Sequence, residues 1–240
     1  MWGNALLFRF WLALCEAFNI RAYSIELRGH GESRNGDIGY QSVEDYAKDV
    51  HIAIAEQITE CILVGWSMGG LIAQLVAARS TLIKRLVLVS SAAPRGILPR
   101  GKVLLKMLKP RYLWALTFGR WLNQSFRISR KDAFELMCNT FSEGRELNDF
   151  LTHLSPESGR AASQVALGVE VGKINCPVLV ISAEKDVICP DSMQVQISGR
   201  YKATYLKIAG ASHAVMVQPT LWESTGKSLL NWAYQLPQAA

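Results

Sequence analysis

Apolar positions along the chain follow two spacings. Leu7, Phe10, Trp11, Leu14 and Phe18 keep to helical intervals, so MWGNALLFRFWLALCEAF predicts an amphipathic core helix. Elsewhere the apolar residues form short unbroken runs: Cys61–Gly65 (CILVG), Leu86–Ser90 (LVLVS) and Pro177–Ser182 (PVLVIS). Such runs suit parallel strands covered on both faces. Arg21–Leu27 (RAYSIEL) and Thr204–Ile208 are strand-like as well. Between the strands, Val43–Glu56, Leu71–Arg79, Asp191–Ile197 and Thr220–Tyr234 read as helices. Glu44 and Asp45 fall in the first turn of one of them, where the helix dipole favours negative charge. Strands alternating with helices predict an α/β fold, with a mostly parallel sheet and flanking helices.

The alternation stops between Pro94 and Lys173, where the apolar spacing is helical and no comparable strand run occurs. The chain therefore divides into an α/β core of residues 1–93 and 173–240 and a helical insertion of residues 94–172. Ten basic residues and no acidic one lie between Arg95 and Lys131. Taking those ten from the net charge of +6 leaves the rest of the chain at −4, so the positive charge belongs to the insertion. Basic residues there alternate with Met107, Tyr112, Trp114, Phe118 and other bulky apolar residues. That mixture reads either as solvated faces of packed helices or as a surface for an anionic membrane or an acidic acyl carrier. No nucleic-acid-binding module is recognisable, so nucleic acid is not expected as a partner.

Composition narrows the class further. Half of the residues are hydrophobic and 19% are charged, an ordinary globular balance. The five cysteines follow no ligand or disulfide spacing, which predicts free thiols and a cytoplasmic setting. The four histidines are scattered, and no metal site is expected. The first eighteen residues carry Arg9 inside the apolar run and nothing basic before it, unlike a secretion signal.

The most informative stretch is Gly65-Trp66-Ser67-Met68-Gly69-Gly70, set between a predicted strand and a predicted helix. A G-x-S-x-G sequence in that context predicts a nucleophile elbow. The turn is so sharp that Gly65 and Gly69 are expected to be small to avoid a clash. The turn lifts Ser67 Oγ clear of the sheet and sets it at a helix N-terminus, where negative charge is stabilised. The N–H of Met68 is then one oxyanion donor.

With these residues the chain resembles the α/β-hydrolase superfamily over nearly its whole length, in the branch of small capped serine esterases and hydrolases. Arg28-Gly29-His30-Gly31-Glu32-Ser33 resembles the family's loop after its fourth strand, and the insertion stands where family caps stand. The family order of serine, acid, histidine implies Ser67, Asp186 and His213 as the catalytic residues. His213 follows the last strand candidate, and Asp186 follows PVLVIS in a turn with Pro190 after it. Glu184 and Asp191 are the nearest competitors for the acid; Ser90-Ser91-Ala92-Ala93 offers no carboxylate at the family's other acid position. The resemblance implies acyl transfer through an acyl-enzyme, without cofactor or metal, on a carboxylic ester. Lactone, thioester or carbon–carbon bond hydrolysis by the same triad is the nearby alternative. Trp2, Trp66, Trp114 and Phe118 are expected around the substrate.

The resemblance also implies an absence. Family members carry a central strand ending in His-Gly just before the first helix, and the backbone after it supplies the second oxyanion donor. This sequence opens at Met1-Trp2-Gly3, which predicts a chain shortened at its N-terminus, with three early strands lacking counterparts. Met1 then stands at or beside the donor position. The strands flanking the interior gap must close it or leave backbone groups unpaired. A non-catalytic, ligand-binding remnant is the competing reading of such a chain.

Overall fold

Four parallel strands form the centre of the molecule: β1 (Cys61–Trp66), β2 (Ile83–Val89), β5 (Val178–Ala183) and β6 (Thr204–Ile208), in the order β1-β2-β5-β6. The computed structural model describes residues 1–33, 38–57, 60–97, 124–142 and 144–235. The apolar runs become strands because both sheet faces are covered. Leu86 and Leu88 of β2 and Val178 and Val180 of β5 enter one core, with helices α2 (Val43–Gln57), α3 (Met68–Ala77) and α7 (Asp191–Tyr201). Val87, Val89, Leu179 and Ile181 enter the other, with α1 (Arg9–Ala17) and α8 (Trp222–Tyr234). Period-two alternation thus sends every second residue to each core.

Helix α1 is preceded by a 3₁₀ turn, Ala5–Phe8, capped by Asn4, whose side chain accepts from Leu6 N at 3.1 Å. Leu7, Trp11 and Leu14 are buried, and Phe10 stacks on Trp222 of α8. Phe18, expected on the same apolar face, is instead 42% exposed, because the helix ends at Ala17 and the chain turns away.

The expected strand at Arg21–Leu27 does not form. Residues 20–27 are without regular structure, and among the described residues no strand precedes Cys61. A strand exists only through its ladder, and none of the described residues pairs with this segment as a ladder partner. Its anchors are local: Ser24 Oγ donates to Ala5 O at 3.0 Å, and Glu26 Oε1 accepts from Ala5 N at 3.1 Å.

Between β2 and β5 the described residues form helices α4 (Arg130–Met137), α5 (Arg145–Thr152) and α6 (Gly159–Leu167) and a short antiparallel ribbon, β3 (Ser125–Phe126) with β4 (Glu157–Ser158). Ser129 and Ser158 cap α4 and α6 by accepting from Asp132 N and Ala161 N. Trp114, Phe118 and six of the ten clustered basic residues lie outside the described residues. No described helix is long and apolar enough to cross a membrane.

Candidate active site

Ser67 is the single residue between β1 and α3, and it bends the chain with φ 57° and ψ −124°. Its N–H donates to Val89 O at 3.1 Å and its C=O accepts from Ala92 N at 2.9 Å, which ties the elbow to the end of β2. Gly65 is required: a Cβ there would lie 2.4 Å from Gly69 O and 2.7 Å from Gly70 Cα, both backbone atoms. Gly70 is required too, since its Cβ would meet Ser91 Oγ at 2.2 Å. At Gly69 the expectation fails. A Cβ there meets nothing within 4 Å, because Gly69 faces open space on the cavity side of α3.

His213 sits five residues beyond β6, in a segment fixed from both sides. Trp66 Nε1 donates to His213 O at 2.8 Å, and Ala214 N donates to Met137 O at 2.9 Å. The imidazole Nε2 lies 2.9 Å from Ser67 Oγ, and Nδ1 lies 2.8 Å from Asp186 Oδ2. Asp186 follows β5. Its Oδ1 accepts from Ile188 N and Cys189 N, both at 2.8 Å, leaving Oδ2 for the imidazole. All three side chains are buried. The other carboxylates near the turn are engaged elsewhere. Glu184 accepts from Gly210 N at 2.9 Å, and Asp191 from Ser182 Oγ at 2.7 Å and from Tyr205 Oη.

The serine opens on a cavity of about 760 Å³. Met1, Trp66, Met68 and Gly69 line it. The N–H of Met68, first residue of α3, donates to no described group. Burial holds the Met1 amino group below its usual value, partly offset by the charge of Glu157. Trp2 does not line the cavity: it is buried with its ring edge-on to Phe126 at 5.6 Å.

Sequence reasoning missed a second buried cluster on the same cavity. His30, passed over as a base because it precedes the serine, has Nε2 3.2 Å from Glu157 Oε2 and Nδ1 3.1 Å from Arg28 O. Both ring nitrogens thus face acceptors, the pattern of an imidazolium. Glu157 Oε1 accepts from Tyr46 Oη at 2.9 Å and Ser158 N at 2.8 Å, and Oε2 also takes Trp2 N at 3.4 Å. Burial would lower the His30 pKa, but the hydrogen bond and charge of Glu157 raise it above the usual value. Burial would raise that of Glu157, but His30 holds it low. Burial, reinforced by the Glu157 charge, pushes the Tyr46 phenol up. The cluster fastens α2, the chain start and the β4 segment together. Nothing in the local sequence around Glu157 signals it.

Residues 1–223 match the alpha/beta hydrolase family. No curated protein matches the sequence. Among solved structures, the methylesterase MES16 from Arabidopsis aligns with a TM-score of 0.76 and 14% identity, over 97% of this chain and 95% of that one. A Paleococcus ferrophilus monoacylglycerol lipase aligns with a TM-score of 0.73 and 22% identity, over 97% and 90%. A thermophilic esterase from Thermogutta terrifontis aligns with a TM-score of 0.72 and 16% identity, over 97% and 86%.

Proposed function

The chain belongs to the alpha/beta hydrolase family, and from that premise we propose that it is a serine hydrolase that cleaves a carboxylic ester. One observation carries the reading: the unbroken hydrogen-bond chain from Ser67 Oγ through His213 to Asp186, with links of 2.9 and 2.8 Å. A serine hydroxyl attacks a carbonyl only when a base takes its proton. His213 Nε2 is within reach of that proton. Asp186 holds Nδ1 as the protonated nitrogen, leaving Nε2 as the acceptor, and stabilises the imidazolium once the proton arrives.

The sequence of steps follows. Ser67 Oγ bonds to the ester carbonyl carbon as its proton passes to His213. The carbonyl oxygen becomes an oxyanion. Met68 N–H stabilises it at the positive end of α3, with Met1 at or beside the second donor position in this reading. The tetrahedral adduct collapses, the alcohol leaves with the proton from His213, and an acyl-Ser67 remains. Water then gives a proton to His213 and attacks the acyl carbon, and His213 returns the proton to Ser67 Oγ as the acyl–oxygen bond breaks and the acid departs.

Trp66 shapes the cavity wall beside the imidazole, with ring centroids 5.8 Å apart. Lactones and thioesters react through the same steps. The structural neighbours that are named esterases and lipases favour oxygen esters.

The experiment is covalent labelling with a fluorophosphonate, alongside hydrolysis of short p-nitrophenyl esters. Wild type should label and hydrolyse, and Ser67→Ala should do neither. Folded wild type that neither labels nor hydrolyses would leave a binding protein that keeps the triad.

A further inference from the structure

Behind the nucleophile, β2 leaves the sheet. Its ladder with β5 ends at Val89, opposite Ile181, and Ser90 N donates to Ile181 O at 2.9 Å. Ser90 then takes φ 42° and turns the chain away. Ser91 follows, fully buried and past the end of β2. Its peptide groups are out of reach of water and need partners. One side chain supplies both. Gln194 of α7 is fully buried, and its Oε1 accepts from Ser91 N at 3.1 Å while its Nε2 donates to Ser91 O at 2.9 Å. A side-chain amide carries the same acceptor and donor as a peptide group, so Gln194 stands in for a missing strand partner.

Two arms of the triad meet on this amide. Ala92, next to Ser91, donates its N–H to Ser67 O at 2.9 Å. Gln194 Nε2 also donates to Cys189 O at 3.4 Å, and Cys189 N donates to Asp186 Oδ1 at 2.8 Å. Gln74 of α3, also fully buried, braces Ser91 from the other side. Its Nε2 donates to Ser91 Oγ at 3.0 Å and to Ala92 O at 3.1 Å, and its Oε1 accepts from Tyr201 Oη at 2.8 Å. Two amides buried in an apolar core are costly to desolvate, and packing alone does not call for them. Apart from Tyr201, their side-chain partners all lie in the two segments that hold Ser67 and Asp186. Hydrogen bonds are directional, so such a network fixes distances that apolar contacts leave soft.

We propose that Gln194 is a positioning residue for the triad: with Gln74 it sets the separation of Ser67 and Asp186, and so the fit of His213 between them. The role rests on the hydrolase reading of the site. His213 spans the two residues with links of 2.9 and 2.8 Å, so a shift of either arm lengthens one of them. Gln194 reaches both arms, whereas Gln74 reaches the nucleophile arm alone.

The test compares full-length wild type with Gln194→Met, Gln74→Met and Ile197→Ala. Methionine matches glutamine in length and makes none of these bonds. Ile197 is fully buried in the same helix and its side chain belongs to the apolar core, so Ile197→Ala is the control for lost stability. Two readouts are taken: kcat and KM for p-nitrophenyl acetate, and the downfield NMR signal of the His213 Nδ1 proton held by Asp186. Gln194→Met should lower kcat by about tenfold to a hundredfold with KM nearly unchanged, and should shift or broaden the Nδ1 signal. Gln74→Met should lower kcat and leave the signal in place. Ile197→Ala should lower Tm and leave both. Either readout unchanged in Gln194→Met would overturn the proposal, since the amide would then brace one arm or neither. An equal loss of kcat in Ile197→Ala at a matched fall in Tm would overturn it too, because stability alone would account for the effect. Should Gln194→Met not fold, Gln194→Asn, which keeps the amide one methylene short of Ser91, is read in the same way. Wild type that neither labels nor hydrolyses would sink the hydrolase reading, and the Nδ1 signal would then decide alone: its loss in Gln194→Met upholds the bracing role, and its persistence overturns it.

Discussion

Glu157 Oε2 lies 3.2 Å from His30 Nε2, and both side chains are buried. The pair couples stability to pH with a definite sign. His30 is raised by Glu157 against the pull of burial, so the folded state holds its proton more tightly than the unfolded one. That contribution is full below the ordinary histidine value of about 6.5 and is lost as pH rises through the raised value. Glu157 is lowered by His30 against burial, so its contribution is full above the ordinary value of about 4.3 and is lost as pH falls through the lowered one. The Tm difference between wild type and Glu157→Gln should therefore be largest between those two limits and shrink on either side. Thermal melts from about pH 3 to about pH 9 check it. Glu157→Ala, which strands a buried cation, should cost roughly 3–5 kcal/mol.

The elbow glycines should separate cleanly. Gly65→Ala drives a Cβ into Gly69 O and Gly70 Cα, and backbone cannot swing aside as a side chain can. We expect little folded protein, or a Tm well below wild type. Gly69→Ala meets open space within a helix, where alanine gains about 0.5–1 kcal/mol over glycine. It should melt at or above the wild-type temperature and still label with fluorophosphonate. Tm and labelling of the two variants, side by side, decide it.

That contrast marks the boundary of what the sequence carries. The elbow and its partners were legible because each is bound to a local signal: an apolar run, a tight glycine turn, and Asp186 and His213 just after strands. The parallel core was legible for the same reason, since burial on both faces leaves an unbroken apolar run. Arg21–Leu27 was misread because its pattern states only that it can be a strand. Whether it becomes one depends on a neighbour beside it. Glu157 was invisible because its partners His30 and Tyr46 are 127 and 111 residues away. A lone glutamate in the sequence carries no mark of burial.

Asp186→Asn tests the division of labour within the carboxylate. Oδ1 holds the backbone through Ile188 N and Cys189 N, while Oδ2 serves His213. Asparagine keeps the first function with its amide oxygen. Its NH₂ then faces Nδ1 and can only donate, so His213 must carry its proton on Nε2, where Ser67 needs an acceptor. The variant should fold with nearly wild-type Tm and lose about 10⁴-fold in kcat for ester hydrolysis. A large fall in Tm would mean that the backbone role cannot be separated from the catalytic one.

The conformation of Ser67 makes a prediction about stability that runs against activity. A non-glycine residue at φ 57° and ψ −124° costs roughly 1–3 kcal/mol. Ser67→Ala removes the hydroxyl and keeps the Cβ, so it keeps that cost. Ser67→Gly removes the Cβ and relieves it, at the expense of about 0.5–1 kcal/mol of extra chain entropy in the unfolded state. The glycine variant should therefore be about 1 kcal/mol more stable than the alanine variant. For a chain of this length that is roughly 2–4 °C in Tm. Both variants should be silent to fluorophosphonate, so activity cannot confuse the comparison. Equal melting temperatures would mean that the elbow is held without strain, and that its geometry follows from Gly65 and Gly70 packing against β2 rather than from a conformation imposed on the nucleophile.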